Sequence, residues 1–340
     1  MTKNILLITD EKPGHENISR GIIETIRKHQ DINLIEVNAT LRSSLFKRLI
    51  KNILNQSNIW QGRKLFIDIF YKGRVIPQKI DCDLVVSTGG ATSFLNVMLS
   101  RYLKCPNIYC SSLRGLKHTL FTYLISLDEN HYDNEIIVDV APLVLPTDAL
   151  KLELFRRENS IDERERIWSI LIGGPTKDYP FSADDIEQMV AGMIALAKKE
   201  RAKLCVTTSR RTTVEMEKKL YDIFKQEKNT IKKYVLYNQK PEKVMGMFLA
   251  AAERVFVTED SGSMITEAVL SKKPVYTIRT DNAHPRGIYK KFMDKLIKNK
   301  MVISVEIDGI PLIRPDEVTV CLKESPAEKV YDKIKHLLED

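Results

Sequence analysis

Short aliphatic runs recur along the chain and alternate with longer stretches in which apolar residues return every three or four positions. The short runs read as buried β-strands and the longer ones as amphipathic helices. In the first half, NILLIT (4–9), INLIEV (32–37), DLVVST (83–88), NIYCS (107–111), YLISL (123–127) and IIVDV (136–140) are strands. Helices are expected from the loop DEKPGHEN to about Lys28 and from Ala91 to Leu103. Residues 141–165, with Pro142, Pro146 and the charged tail RRENSIDERER, break this alternation. It then restarts with IWSILI (167–172), KLCVTTS (203–209), YVLYN (234–238), residues 254–258 and PVYTI (274–278). Helices are expected from Ala183 to Lys199, from Pro241, over 264–272 and near the C-terminus.

This order predicts an α/β protein of two Rossmann-like parallel-sheet domains facing across a cleft. Residues 1–145 form the first and 166–325 the second, with 146–165 as linker and 326–340 as a helix packing back on the first. A length of 340 residues suits two domains. No apolar run approaches the roughly 18 residues of a membrane span. The opening MTKNILLITDEKPG reads as a first strand and not as a signal peptide, so a cytoplasmic protein is expected. Five scattered cysteines without a C-x-x-C pair and six scattered histidines argue against a disulfide framework and a protein metal site.

The net charge of +8 is uneven. Between Val37 and Lys79 lie nine basic residues and one acidic residue, Asp68. Leu41, Leu45, Phe46, Leu49, Ile50, Ile53 and Leu54 recur there at helical spacing among Arg42, Lys47, Arg48 and Lys51, and Trp60, Phe66, Phe70 and Tyr71 follow. Such a stripe packs on its own sheet or lies on an anionic membrane surface; the concentration of one sign of charge favours the membrane. The segment contains no nucleic-acid recognition module, so no nucleic-acid partner is expected.

The chemistry is expected in polar loops that follow strands. Residues 253–278 read as strand, the turn Asp260-Ser261-Gly262-Ser263, then a helix containing Met264 and Glu267. Free N–H groups and the positive dipole end of that helix suit a phosphate, and Gly262 would allow close approach. Neither serine has a Glu three residues on, so Glu267 is not a capping residue and is available to a sugar hydroxyl. Ser209-Arg210-Arg211-Thr212 places two guanidiniums and a hydroxyl after another strand, and Gly173-Gly174 forms a third turn. In the first half the loops are Gly14-His15 and Gly89-Gly90, with Asp10 and Glu16 near the histidine. Asp81-Cys82-Asp83 matches a D-x-D metal pattern but lies at the N-terminal end of its strand, the wrong end for the cleft. The P-loop and G-x-G-x-x-G patterns do not occur.

The second half, with GG-P, the S-R-R-T turn and T-x-D-S-x-S-M-x-x-E-A running into K-P-V, resembles the donor domain of GT-B glycosyltransferases. Together with K-P-G-H-E-N at 12–17, it resembles the family named after the plant mitochondrial fission protein, whose bacterial members are taken for glycosyltransferases. It departs from that pattern at Ile18, Thr213 and Gly262. The resemblance implies that the glycine turn and Ser261–Met264 cradle the donor phosphates, that Glu267 holds the ribose and that His15 lies at the acceptor side. The expected activity is transfer from a nucleotide sugar, as co-substrate without cofactor or metal, to an envelope glycan or lipid-linked acceptor. His15, Glu16 and Asp10 are the catalytic candidates, with Gly14, Gly89 and Gly90 beside the acceptor. D-S-G followed by E-A also resembles non-hydrolysing sugar-nucleotide 2-epimerases, and a non-catalytic adaptor of the same shape is a third reading.

Overall fold

The computed structural model describes residues 2–56, 63–73, 75–77, 81–145, 149–314, 317 and 319–339. Trp60, Arg74, Lys79 and Pro146 lie outside them. The chain divides into two compact units, Met1–Val144 with Glu324–Asp340, and Leu145–Lys323.

In unit 1 the elements are β1 (Lys3–Thr9), α1 (Pro13–His29), β2 (Ile32–Asn38), α2 (Phe46–Gln56), α3 (Lys64–Phe70), β3 (Leu84–Thr88), α4 (Thr92–Leu103), β4 (Asn107–Cys110), β5 (Tyr123–Ser126) and β6 (Glu135–Ile137). The strands form one parallel sheet in the order β2-β1-β3-β4-β5-β6. Both faces of β1 are buried, which its unbroken aliphatic run requires. Ile5 and Leu7 pack with Ile22 and Ile26 of α1, whereas Leu6 and Ile8 pack with Ile50, Phe66 and Leu95 on the opposite face. The first face also receives a helix from the far end of the chain (Pro326–Ile334), whose Val330 and Ile334 are fully buried beside α1.

Unit 2 repeats the plan with α5 (Ala149–Glu158), β7 (Arg166–Leu171), α6 (Ala183–Lys199), β8 (Ala202–Thr207), α7 (Val214–Gln226), β9 (Ile231–Val235), α8 (Met245–Ala251), β10 (Arg254–Thr258), α9 (Gly262–Leu270), β11 (Val275–Arg279), α10 (Gly287–Lys298) and β12 (Ile303–Glu306). Its parallel sheet runs β12-β11-β10-β7-β8-β9. Trp168, Phe256 and Tyr276 line up across three neighbouring strands with ring centroids 5.4 and 5.0 Å apart. They form the centre of a core closed by Ile186, Met189 and Met193 of α6. Ser182 and Asp185 form a capping box at the start of that helix, and Lys198 and Lys199 complement the dipole at its end.

Several segments differ from their sequence reading. Residues 149–158, read as part of a connection, form α5, whose Phe155 reaches Phe248 of α8. The helix expected from Pro241 begins at Met245, because Glu242 pairs with Lys233 and Lys240 and the segment before it stays irregular. The helix expected from Leu41 begins at Phe46, since Leu41 is drawn into a bridge with Tyr71. The C-terminal α-helix (Pro326–Ile334) is held on unit 1 by side-chain packing, with Glu328 2.9 Å from His29 Nε2 at its rim. Ile334→Ala should therefore cost about 2–5 kcal/mol, read as a lower urea midpoint at unchanged slope.

Candidate functional site

Chain order reverses between β1 and β3 in unit 1, and between β7 and β10 in unit 2. At such switch points neighbouring loops diverge above the strand C-termini and leave a crevice. The candidate residues gather at both.

In unit 1, Asp10 follows β1 and His15 lies in the first turn of α1. His15 Nδ1 is 3.0 and 3.1 Å from the two carboxylate oxygens of Asp10, and Lys12 Nζ lies 3.3 Å from the same group. With Asp10 ionised, Nδ1 carries the proton and donates it, which leaves Nε2 as the lone-pair nitrogen. Asp10 is nearly buried and the imidazole is partly open. Gly89 and Gly90, after β3, form the floor. Both are left-handed (φ 69° and 58°), and a Cβ would lie 2.4 Å from the His15 ring at the first and 2.6 Å from Asp10 Oδ2 at the second. The glycine pair is thus required by the dyad above it. Gly14 has open space around its Cα. Glu16 is not brought into this cluster: Arg20 holds its carboxylate at 2.8 Å and also bonds Glu36.

In unit 2 three loops adjoin, after β7, β8 and β10. Asp260 joins them. Its fully buried carboxylate accepts the Gly174 N–H at 3.0 Å and pairs with the Arg211 guanidinium, while Oδ1 has no partner among the described residues. Gly173 N–H donates to Thr258 Oγ1 at 2.7 Å. A Cβ on Gly173 would strike Asp260 at 2.1 Å, and one on Gly174 the Arg211 carbonyl at 2.2 Å. The structure thereby gives this turn a different task from the expected phosphate cradle, because both N–H groups and the space above them are taken by protein. Thr212 is also structural: its hydroxyl donates to the Gly173 carbonyl and accepts the Ser209 N–H at 3.0 Å. Arg210 is exposed, with no hydrogen bond or ion pair to its side chain among the described residues.

Beside them α9 begins at Gly262. Ser261 stands at its N-cap without a capping side-chain hydrogen bond, Ser263 is exposed and Met264 is buried. The first-turn N–H groups therefore have no cap. The Tyr289 ring lies against Gly262, 3.1 Å from where a Cβ would sit, so this glycine makes room for an aromatic ring. Glu267 is half-buried one turn on, and burial alone pushes its carboxyl up to about 7.

Two buried carboxylates that the sequence reading did not single out organise these loops. Glu217 accepts from Thr208 Oγ1 and, at 3.1 Å, from the Asn238 N–H, tying the β8 loop to the β9 loop. Glu259 accepts from Thr277 Oγ1 at 2.8 Å and from Ser304, joining β10 to β11 and β12. The Glu259-Asp260 pair itself was the available signal, since two adjacent acids after a buried strand need buried partners. The D-x-D segment is structural: Asp83 accepts the Asn4 N–H at 2.7 Å and lies 3.7 Å from Lys3. Among the described residues no group of three or more His, Cys, Asp or Glu is arranged to hold a metal ion.

Two such sheets, each with polar loops at its switch point, define a GT-B-type α/β protein. Residues 13–311 match the family described as mitochondrial fission ELM1, and the chain belongs to it. No curated protein matches the chain by sequence. Among solved structures, the UDP-GlcNAc 2-epimerase of Methanocaldococcus jannaschii is similar at 16% identity and a TM-score of 0.59, over 99% of this chain and 100% of that one. The Neisseria meningitidis UDP-GlcNAc 2-epimerase bound to UDP-GlcNAc gives 14% and 0.55, over 100% of both chains. The Escherichia coli ADP-heptose heptosyltransferase II gives 13% and 0.49, over 99% and 98%.

Two outcomes follow from this geometry. The raised Glu267 carboxyl means that the folded chain holds a proton that the unfolded chain releases between its ordinary value of 4.5 and about 7. Stability should fall with rising pH across that window, and Glu267→Gln should remove the fall, a gain on the order of 1–3 kcal/mol at pH 8; thermal melts at pH 5 and pH 8 read it. Arg211→Ala should destabilise unit 2 by about 1–3 kcal/mol, because the Arg211 side chain is 42% exposed and the pair is screened, yet its loss leaves the buried Asp260 carboxylate with the Gly174 N–H. The same change at exposed Arg210 should leave the melting temperature unmoved.

Proposed function

We propose that the chain is a glycosyltransferase that moves a sugar from a nucleotide-activated donor, held by unit 2, to the hydroxyl of an envelope glycan or lipid-linked acceptor, held by unit 1. The observation that carries this reading is the Asp10–His15 pair, a nearly buried carboxylate orienting an imidazole whose Nε2 is left to act, at the switch point of its sheet. That is the arrangement of a general base. His15 Nε2 takes the acceptor's hydroxyl proton while the oxygen forms its bond to the anomeric carbon and the bond from that carbon to the phosphate oxygen breaks. Asp10 keeps the proton of Nδ1 in place and stabilises the imidazolium that results.

The donor's phosphates fit the uncapped start of α9 and the free guanidinium of Arg210, which supply positive charge for the leaving group without a bound cation. Glu267 is placed one helical turn away to accept hydroxyl groups of the nucleoside. Its ionised form is the acceptor, so donor affinity should rise with pH through about 7.

A second reading, a sugar-nucleotide 2-epimerase, is favoured by the likeness to the two epimerases. It needs no acceptor. Incubation with UDP-GlcNAc alone separates the two, because net conversion of the sugar without an acceptor supports the epimerase and its absence favours the transferase. A non-catalytic adaptor would bind no nucleotide sugar. A thermal-shift screen of UDP-, GDP-, CMP- and ADP-linked sugars tests that, since a ligand at 100 times its Kd adds about 2.7 kcal/mol.

In the transferase reading His15→Ala should lower kcat about 10² to 10⁴-fold with donor affinity unchanged. Glu16→Gln should stay within about threefold, since Arg20 already occupies that carboxylate. Loss of turnover in Glu16→Gln with retention in His15→Ala would reverse the assignment.

A further inference from the structure

The basic segment of unit 1 folds into α2 and α3, and only part of its apolar stripe enters the core. Ile50 and Leu54 are buried against the sheet layer, as are Phe66, Ile67 and Phe70. Four large aliphatic side chains remain outside: Leu45 is 85% exposed, Leu49 49%, Leu65 66% and Ile69 49%. The two helices meet along one seam. The Phe46 and Phe70 rings touch edge to face at 5.2 Å, the Arg42 N–H donates to the Phe70 carbonyl at 2.9 Å, and Leu41 bridges to Tyr71. Leu45 and Ile69 immediately precede the touching rings in sequence.

The charge around them has one sign. Arg42, Lys47 and Arg48 are exposed, and neither Lys47 nor Arg48 has an ion-pair partner among the described residues. The single local acid, Asp68, is occupied by Lys64. In the last turn of α2, Asn55 accepts the Lys117 N–H at 3.0 Å and donates to the Gly115 carbonyl at 2.8 Å, which fixes the loop after β4 with exposed Arg114 and Lys117.

We infer that α2 and α3 form a docking face for an anionic lipid bilayer, with Leu45, Leu49, Leu65 and Ile69 entering the boundary of the acyl region and Arg42, Lys47 and Arg48 meeting the headgroups. The chemistry selects this occupant. A nucleic acid would match the cations but would leave four aliphatic side chains in contact with phosphates, and the described aromatics of the segment, which could stack on bases, are turned into the core. A second copy would bring the same unpaired cations together across a two-fold interface. A bilayer carrying anionic headgroups satisfies both components at once. No helix among the described residues is long and apolar enough to cross the membrane, so the attachment is lateral and reversible. The inference goes beyond the transferase reading and does not depend on it, because it concerns adsorption and not turnover.

Vesicle flotation with the full chain tests it, using phosphatidylcholine alone and an equal mixture with phosphatidylglycerol. Binding is expected to the mixed vesicles only and should weaken as salt is raised. Each cation brought to the surface is worth roughly fivefold in partitioning. Lys47→Glu with Arg48→Glu should therefore lower it by at least tenfold, and Leu45→Ser with Leu49→Ser should lower it at every salt concentration. All four positions are exposed, so the melting temperature should be unchanged and loss of folding is distinguished from loss of docking. Equal or absent binding to both vesicle types overturns the proposal. So does undiminished binding in either double variant, or a dimer or a complex with duplex DNA or RNA that the same substitutions abolish while flotation persists.

Discussion

The buried carboxylate of Asp260 is the constraint on which the second site depends. It lies at the end of β10, yet it fixes the backbone after β7 through Gly174 and the loop after β8 through Arg211. A carboxylate without solvent must be paired and hydrogen-bonded to remain charged, so these three loops are held in one arrangement. Glu217 and Glu259 extend the same logic outward, to β9 on one side and to β11 and β12 on the other. The loops above the sheet are therefore framed by buried acids whose partners are mainly backbone N–H groups and hydroxyls. Arg210, Ser263 and Glu267 belong to none of these networks.

Unit 1 reaches a related arrangement with other residues. In each sheet an acid from one side of the switch point overhangs a glycine pair from the other: Asp10 of the β1 loop above Gly89-Gly90 after β3, and Asp260 of the β10 loop above Gly173-Gly174 after β7. The strands that carry acid and glycines are direct neighbours in both cases. At Gly89, Gly90 and Gly173 the acid, or the ring it holds, fills the volume of a Cβ, and at Gly174 the Arg211 carbonyl does. What differs is the acid's partner. Asp260 is held through Oδ2 by a guanidinium and the backbone, which suits a framework, whereas Asp10 orients an imidazole that remains partly open, which suits proton transfer.

The sequence made the central strands legible because a parallel sheet covered on both faces demands uninterrupted aliphatic runs, as in ILLI of β1 or LVV of β3, whereas the half-exposed edge strand β12 (Ile303–Glu306) was not read and β9 lies at Ile231–Val235 and not at 234–238. It also marked the loops that matter, since polar and glycine-rich turns follow those runs. Strand order was not legible, because β1 beside β3 and β7 beside β10 are pairings between segments far apart in sequence. Without that order, Gly173-Gly174 read as a surface open to ligand, when it is the underside of Asp260. Glu16 likewise looked equivalent to His15, until the fold placed Arg20 and Glu36 beside it. The stripe of α2 shows the same limit: periodicity identified an apolar face but could not divide it into the part that enters the core and the part, Leu45 and Leu49, that does not.

That division bears on the adaptor reading as well. A scaffold without a ligand is stabilised by closing its polar groups on one another, and in this chain most buried polar groups are closed in that way. The exceptions include Asp260 Oδ1 and Thr280 Oγ1, which lie after the adjacent strands β10 and β11. Glu267 adds a carboxyl raised by burial with no charge beside it, and α9 starts without a cap. Each of these costs stability in the free protein. Glu267, Asp260 Oδ1, Thr280 Oγ1 and the start of α9 lie in or beside the segments after β10 and β11, where a polar ligand would supply the missing partners, whereas Gln30 Nε2, Trp168 Nε1 and Arg254 Nε are without a partner elsewhere among the described residues.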